Sequence, residues 1–123
     1  MDLWIVATPE CVGRSNGELP WEGLPGYETR FEEITREAGI MIVGFNTYVF
    51  LFRHYKGLLP NRRYIVLTQK HIPSGCKMLE FVNSPQEALD AAARHGKCAC
   101  VIGGKQVIEL FSPLPTVTKV FLL

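Results

Sequence analysis

The sequence predicts an α/β layered fold, a mostly parallel sheet with helices on both faces, and three observations carry that expectation. Short apolar runs alternate with amphipathic stretches along the whole chain. The runs are apolar throughout rather than at every second residue, as strands buried on both faces read. Glycines follow the second and fifth runs, at Gly44 and Gly103-Gly104, where strand gives way to helix.

Taken in order, Leu3 to Thr8 is the first buried strand. Pro9 to Trp21 reads as a loop, broken by Gly13, Asn16-Gly17 and Pro20. From Pro25 the pattern turns helical, with Tyr27, Phe31, Ile34 and Ala38 on one face and Gly39 as the stop. Ile40 to Gly44 is the second strand, and Asn46 is expected to cap a helix over Thr47 to Phe52. Lys56 to Asn61 is a turn and Arg63 to Thr68 the third strand. A turn over His71 to Gly75 leads to a fourth strand, Met78 to Val82. Ser84-Pro85-Gln86-Glu87 is a capping box with proline at the first helical position, opening a helix that Gly96 ends. Cys98 to Ile102 is the fifth strand, Lys105 to Phe111 a helix, and Thr118 to Leu123 the sixth strand. The chain ends on this apolar strand, so its edge is expected to be covered by a partner chain or a second copy, or the sequence is a shortened form of a longer fold.

The bulk numbers narrow the function. At 123 residues and 47% apolar the chain reads as one domain, 1–123, with a real core. A net charge of +1 without a basic stripe argues against nucleic acid and anionic membrane surfaces. No apolar run is long enough to span a bilayer, and the N-terminus lacks a basic segment and cleavage site. A cytoplasmic protein follows, with Cys11, Cys76, Cys98 and Cys100 reduced and mostly buried. Cys98 and Cys100 share one strand face and read as packed thiols, while His54, His71 and His95 have no ligand spacing, so no metal is expected.

In open α/β sheets ligands bind outside the carboxyl ends of the strands. Gly44-Phe45-Asn46-Thr47 and Gly103-Gly104-Lys105-Gln106-Val107 both follow strand ends, and Leu67-Thr68-Gln69 ends the third strand with polar groups. Two such turns facing one crevice suit a diphosphate, whose oxygens would meet main-chain N–H groups. The alternative, that each glycine only makes a tight turn, stays open at this point. There is no G-x-G-x-x-G opening a helix and no Walker A loop.

The loop is more specific. Val12-Gly13-Arg14-Ser15-Asn16-Gly17-Glu18-Leu19-Pro20-Trp21, followed by Leu24-Pro25, resembles the active-site loop of the dihydrofolate reductase family. Ile5-Val6-Ala7 is similar to that family's first strand, and Phe31 and Thr35 to the Phe and Thr of its substrate helix. Ile42 to Tyr48, Leu59 to Thr68 and Val101 to Gly104 resemble further family segments in the same order. The resemblance implies a dihydrofolate-reductase-like sheet without its C-terminal strands, and hydride transfer from NADPH, with NADH left open, to dihydrofolate or a related pterin. It implies that Trp21 lines the pterin pocket under a lid that excludes water. It further implies substrate contacts from Ile5, Ala7, Phe31, Leu59 and Ile102, with Arg62 gripping a carboxylate. On its own, Arg62 reads as a surface arginine at a strand start. Cofactor contacts are implied for Ala7, Val12, Gly13, Leu19, Gly44, Phe45, Asn46, Thr47, Leu67, Thr68, Gln69, Gly103, Gly104, Lys105, Gln106 and Val107.

Three departures bear on activity. The family has a carboxylic acid where this chain has Tyr27, and Glu28 is rotated from it by roughly 100° on an ideal helix. Glu28 swinging in as the acid, Tyr27 acting as a weak donor, and loss of the chemistry all stay open. Phe45 replaces a basic residue near the 2′-phosphate that distinguishes NADPH from NADH, with Lys70 and His71 as nearby sources of charge. Leu123 best matches a threonine that holds a water near the acid. A binding or assembly protein that keeps the scaffold is therefore the alternative reading. A riboflavin-type pyrimidine reductase would share the fold, but Leu19-Pro20-Trp21 argues against it.

Overall fold

The computed structural model describes residues 1–7 and 27–122, without the side chains of Ala7, Tyr27, Glu28 and Leu122. Six strands and four helices alternate: β1 (Asp2–Ala7), α1 (Tyr27–Ala38), β2 (Ile40–Gly44), α2 (Phe45–His54), β3 (Arg63–Leu67), β4 (Leu79–Val82), α3 (Pro85–His95), β5 (Cys98–Gly103), α4 (Lys105–Phe111) and β6 (Val117–Leu122). The strands form one sheet in the order β4-β3-β2-β5-β1-β6, and every pairing in it is parallel.

Two apolar layers sandwich the sheet, as the unbroken apolar runs predict. On one face, Phe31, Ile34 and Ala38 of α1 and Leu51 of α2 pack with Trp4, Val6, Met41, Val43, Tyr64, Val66, Cys100 and Ile102. On the other, Ala88, Ala91 and Ala92 of α3 and Val107 and Phe111 of α4 pack with Leu3, Ile5, Ile40, Ile42, Ile65, Ala99 and Val101. Alternate residues of a strand point to opposite faces, so each buried strand feeds both layers.

Local chemistry sets the helix ends. Gly39 follows α1 with φ +81°, the left-handed conformation that favours glycine, and its N–H donates to Thr35 O at 2.9 Å. Ser84 caps α3 by accepting from the Glu87 N–H at 3.1 Å, with Pro85 at the first position. The return bond from Glu87 reaches the Asn83 N–H at 2.8 Å rather than the cap residue itself. The expected cap Asn46 is corrected: the chain is extended at Gly44 and already helical at Phe45, so Gly44 is the N-cap and Asn46 lies exposed in the first turn. Burial of Thr47 and Leu51 fixes the start of α2, and packing outweighs the capping preference of asparagine. The expectation of mostly buried thiols is corrected for Cys76, which is exposed, while Cys98 is half-buried and Cys100 buried. Strand β6 is an edge, as expected, with Val120 58% exposed.

Candidate active site

Strand order creates the crevice. β5 inserts between β2 and β1, although β1 and β2 come first in the chain. The helix after β2 packs on one face and the helix after β5 on the other. The connections leaving β2 and β5 therefore part at the carboxyl ends of adjacent strands, a topological switch point of the kind where α/β sheets bind ligands.

Glycines edge both sides of this opening. A Cβ built on Gly44 would lie 3.0 Å from Val107 Cγ2, 3.5 Å from Gly103 O and 3.7 Å from Gly104 N. A Cβ on Gly104 would meet Thr47 Oγ1 at 3.7 Å. Gly103 has φ +145°, which L side chains rarely adopt, and the Gly103–Gly104 peptide is cis. The two loops thus touch backbone to backbone. Neither Gly44 nor Gly104 offers a side-chain cap, so the first N–H groups of α2 have no intrahelical partner. Leu67 at the end of β3 sits in register beside Gly44. Thr68 follows it, 8% exposed, and its Oγ1 accepts from the Lys70 N–H at 3.2 Å.

A second polar group lies on the α1 face. Arg62 is only 5% exposed. Its Nε donates to Thr35 Oγ1 at 2.9 Å, one terminal nitrogen to Pro60 O at 2.6 Å and the other to Glu32 O at 2.8 Å. Thr35 is fully buried and in turn donates to Phe31 O at 3.0 Å. Three of the five guanidinium N–H donors are engaged among the described residues, one on each nitrogen, which leaves one on each terminal nitrogen. The reading of Arg62 as a surface arginine is overturned, because α1 and the 59–62 turn close over it. Beside it, Tyr64 is fully buried and its hydroxyl accepts from the Leu59 N–H at 3.0 Å. Burial pushes the Tyr64 pKa up, against smaller opposing pulls from that N–H and from Arg62.

The structure brings together most of the residues singled out from sequence. Gly44, Phe45, Asn46, Thr47, Leu67, Thr68, Gln69, Gly103, Gly104, Lys105, Gln106 and Val107 all lie at the carboxyl rim of β2, β3 and β5. Phe31, Leu59 and Ile102 share the α1-face core. Ile5 is not brought to them: its side chain packs in the opposite layer with α3 and α4. Ala7 closes β1 in register with Leu122, as backbone only. Val12, Gly13, Leu19 and Trp21 lie outside the described residues. Helix α1 begins at Tyr27, one turn before Phe31, so positions 27 and 28 are both helical; their side chains are not described. Sequence reasoning missed Asn83, whose Nδ2 donates to Thr68 O at 2.7 Å and Lys70 O at 3.1 Å and ties the β3 and β4 ends together. No local pattern announces that bond, since it joins two strands through their pairing.

Among the described residues no helix is long and apolar enough to cross a membrane, and no cluster of potential metal ligands occurs.

A parallel sheet covered on both faces, with a glycine-edged crevice at the switch point and a buried arginine, defines an α/β layered protein of a narrow kind. The family model described as dihydrofolate reductase matches residues 2–122, and the chain belongs to the dihydrofolate reductase family. It is similar to dihydrofolate reductase HdrB of Haloferax volcanii, 34% identical over 110 residues covering 86% of this chain and 55% of that protein. Dihydrofolate reductase of Lactococcus lactis is 26% identical over 110 residues, covering 89% of this chain and 62% of that one. The solved dihydrofolate reductase from Enterococcus faecalis, complexed with NADP(H) and RAB-propyl, has a TM-score of 0.70 and 27% identity over 91% of this chain and 65% of that one. The chain thus spans between 55% and 65% of the length of these relatives.

Proposed function

We propose that this chain, as a single cytoplasmic domain, reduces dihydrofolate or a related pterin to its tetrahydro form with NADPH as the hydride source. The observation that carries the reading is the close approach of Gly44 to the Gly103-Gly104 backbone at the switch point, where a Cβ on Gly44 would press on Val107 Cγ2 at 3.0 Å.

The residues fit a dinucleotide. The open N–H groups at the start of α2, beside the Gly103-Gly104 backbone, are donors suited to a diphosphate. Thr47, Leu67, Thr68, Gln69 and Val107 flank that position. Lys105 and Gln106 are exposed beside it and can follow the ligand along the rim. When bound, the reduced nicotinamide supplies a hydride to the pterin ring. The Arg62 guanidinium, held in one orientation by Thr35, Pro60 and Glu32, keeps one further N–H on each terminal nitrogen to meet the substrate's carboxylate. Phe31, Leu59 and Ile102 supply apolar surface for the substrate. Trp21 and the Val12–Leu19 segment are assigned the lid, on the strength of the motif alone.

The reduction also needs one proton, delivered by Glu28 or Tyr27 directly or through a water. A phenol near its ordinary pKa of about 10 stays protonated at neutral pH and donates poorly. In the sequence pattern Tyr27 falls on the apolar face with Phe31, which favours a second reading in which the scaffold binds ligand without turnover. A partner chain or second copy over the β6 edge belongs to either reading, and sedimentation analysis tests it.

The test mixes the purified chain with NADPH and dihydrofolate and follows nicotinamide absorbance. Turnover lost in Glu28→Gln and kept in Tyr27→Phe assigns the acid to Glu28, and the converse assigns it to Tyr27. Saturable NADPH binding without turnover selects the second reading.

A further inference from the structure

The turn between α2 and β3 carries two of the groups assigned to the substrate, Leu59 and Arg62, yet regular pairing does not shape it. Lys56, Gly57 and Asn61 all have positive φ, at 55°, 140° and 62°. Such angles are uncommon outside glycine, and neither a helix nor a strand continues through them. The two ends are tied by main-chain bonds, Gly57 N–H to Phe52 O and Arg63 N–H to Gly39 O, both at 2.9 Å. Between these ends, among the described residues, the Leu59 N–H is the one main-chain donor with a hydrogen bond, and Pro60 has no N–H to offer. The acceptor is a side chain, the Tyr64 hydroxyl at 3.0 Å.

Tyr64 is built to hold that bond. It is fully buried in β3, a strand paired on both sides, with Met41 of β2 and Leu79 of β4 in register beside it. Its own N–H donates to Met78 O at 2.7 Å. The Tyr48 ring meets its ring edge-on at 6.2 Å. The phenol therefore stands on the sheet as a fixed post, and its oxygen meets the turn three residues before the guanidinium. At the far end of the turn, Arg62 is tied to α1 through Thr35 Oγ1 and Glu32 O. The sheet thus fixes one end of the substrate-facing turn and the helix fixes the other. Filling this part of the core needs only an aromatic ring. A buried hydroxyl is costly unless it is paired, and its pairing here falls on the turn.

We propose that Tyr64 is a positioning residue for the substrate: its hydroxyl holds the Leu59 N–H and so sets the turn that presents the Leu59 side chain and the Arg62 guanidinium to the carboxylate-bearing tail of dihydrofolate. This rests on the reductase reading above. Tyr64 is buried beneath the turn and acts through it. A contact held ready in the free protein costs less ordering when the ligand arrives, so the effect belongs to affinity for the tail and not to the reacting ring.

Calorimetric titration of the full chain with dihydrofolate, and with a dihydropterin that lacks the p-aminobenzoyl-glutamate tail, tests this. Circular dichroism checks the fold. Tyr64→Phe keeps the ring and removes the hydroxyl. It should weaken dihydrofolate about tenfold, the scale of one hydrogen bond, and leave the tailless dihydropterin and NADPH within about twofold. In an Arg62→Met background the same change should cost less than about threefold, because the grip it orients is gone. Unchanged dihydrofolate binding in Tyr64→Phe, equal weakening of both pterins, or full additivity with Arg62→Met overturns the proposal and leaves the reductase reading intact. If Tyr64→Phe does not fold, amide exchange of Leu59 in the unaltered chain decides. Protection that rises with dihydrofolate and not with the tailless dihydropterin supports the proposal, whereas an unprotected amide, or the same protection with either ligand, overturns it. No heat from either pterin or from NADPH with native protein overturns the reductase reading as well.

Discussion

The two faces of the sheet are built from different materials. The α3–α4 face is aliphatic, with Ile, Leu and Val from the strands closing on three alanines of α3 and on Val107 and Phe111. The α1–α2 face carries the buried polar and aromatic groups: Arg62 and Thr35 by its helix, Tyr64 and Trp4 from the sheet, Cys100 from β5. One face needs only to fill space, so small and branched side chains suffice. The other must hold charge and hydrogen-bond donors out of water, and each of these is costly unless paired. Under the proposed function the contrast should separate stability from ligand binding, and substitutions test that separation.

The largest stability loss is expected on the aliphatic face. Ile65 is fully buried in β3, and Ile65→Ala should cost about 2–5 kcal/mol by urea unfolding. Nucleotide affinity of the folded fraction should hardly change, and a large affinity loss would show that the faces are not separate. Arg62→Met should cost about 2 kcal/mol, since Thr35 Oγ1 and two carbonyls lose a charged partner. In steady-state assays it should also raise KM for dihydrofolate about thirtyfold, whereas a change in stability alone would make Arg62 only structural. Gly44→Ala forces a methyl to within 3.0 Å of Val107 Cγ2, and calorimetry should show about tenfold weaker NADPH binding with little change in urea midpoint.

A smaller effect concerns pH. Burial holds the Cys100 thiol far above the ordinary range, with Cys98 adding to the shift. Its Sγ lies 3.3 Å from Ile40 O, as a protonated thiol should. The folded pKa exceeds the unfolded one, so the stabilisation is complete below about pH 8.5 and is lost as the unfolded chain ionises above it. Between pH 8.5 and 10 stability should fall by up to about 1.4 kcal/mol per pH unit from this group, and Cys100→Ala should flatten the slope. The smallest effect is at Trp4, whose Nε1 is buried without a hydrogen-bond partner among the described residues. Trp4→Phe trades lost volume against that unmet donor and should change the urea midpoint by less than about 1 kcal/mol.

Much of this was legible in the residues themselves. The apolar runs located all six strands, and Ser84-Pro85-Glu87 announced the start of α3, because both signals are local. The glycine turns pointed to the rim for the same reason. Sheet order was not legible, since the insertion of β5 between β2 and β1 is decided by pairing between distant segments. Neither was the burial of Arg62, which depends on α1 covering a turn about thirty residues away in sequence. The family resemblance set Lys70 beside the Phe45 position, but the stacking of its ammonium on the Phe45 ring depends on β2–β3 pairing and was not legible. Asn46 shows a local preference overruled by packing.

The central claim is that a reduced dinucleotide lies at the switch point between β2 and β5. Titration of native chain with NADPH in a calorimeter, alongside Gly44→Ala, tests it most directly. Saturable binding to the unaltered chain, weakened about tenfold in the variant, is the predicted result. Absence of heat up to millimolar nucleotide with a native circular dichroism spectrum, or equal binding by both proteins, would contradict it.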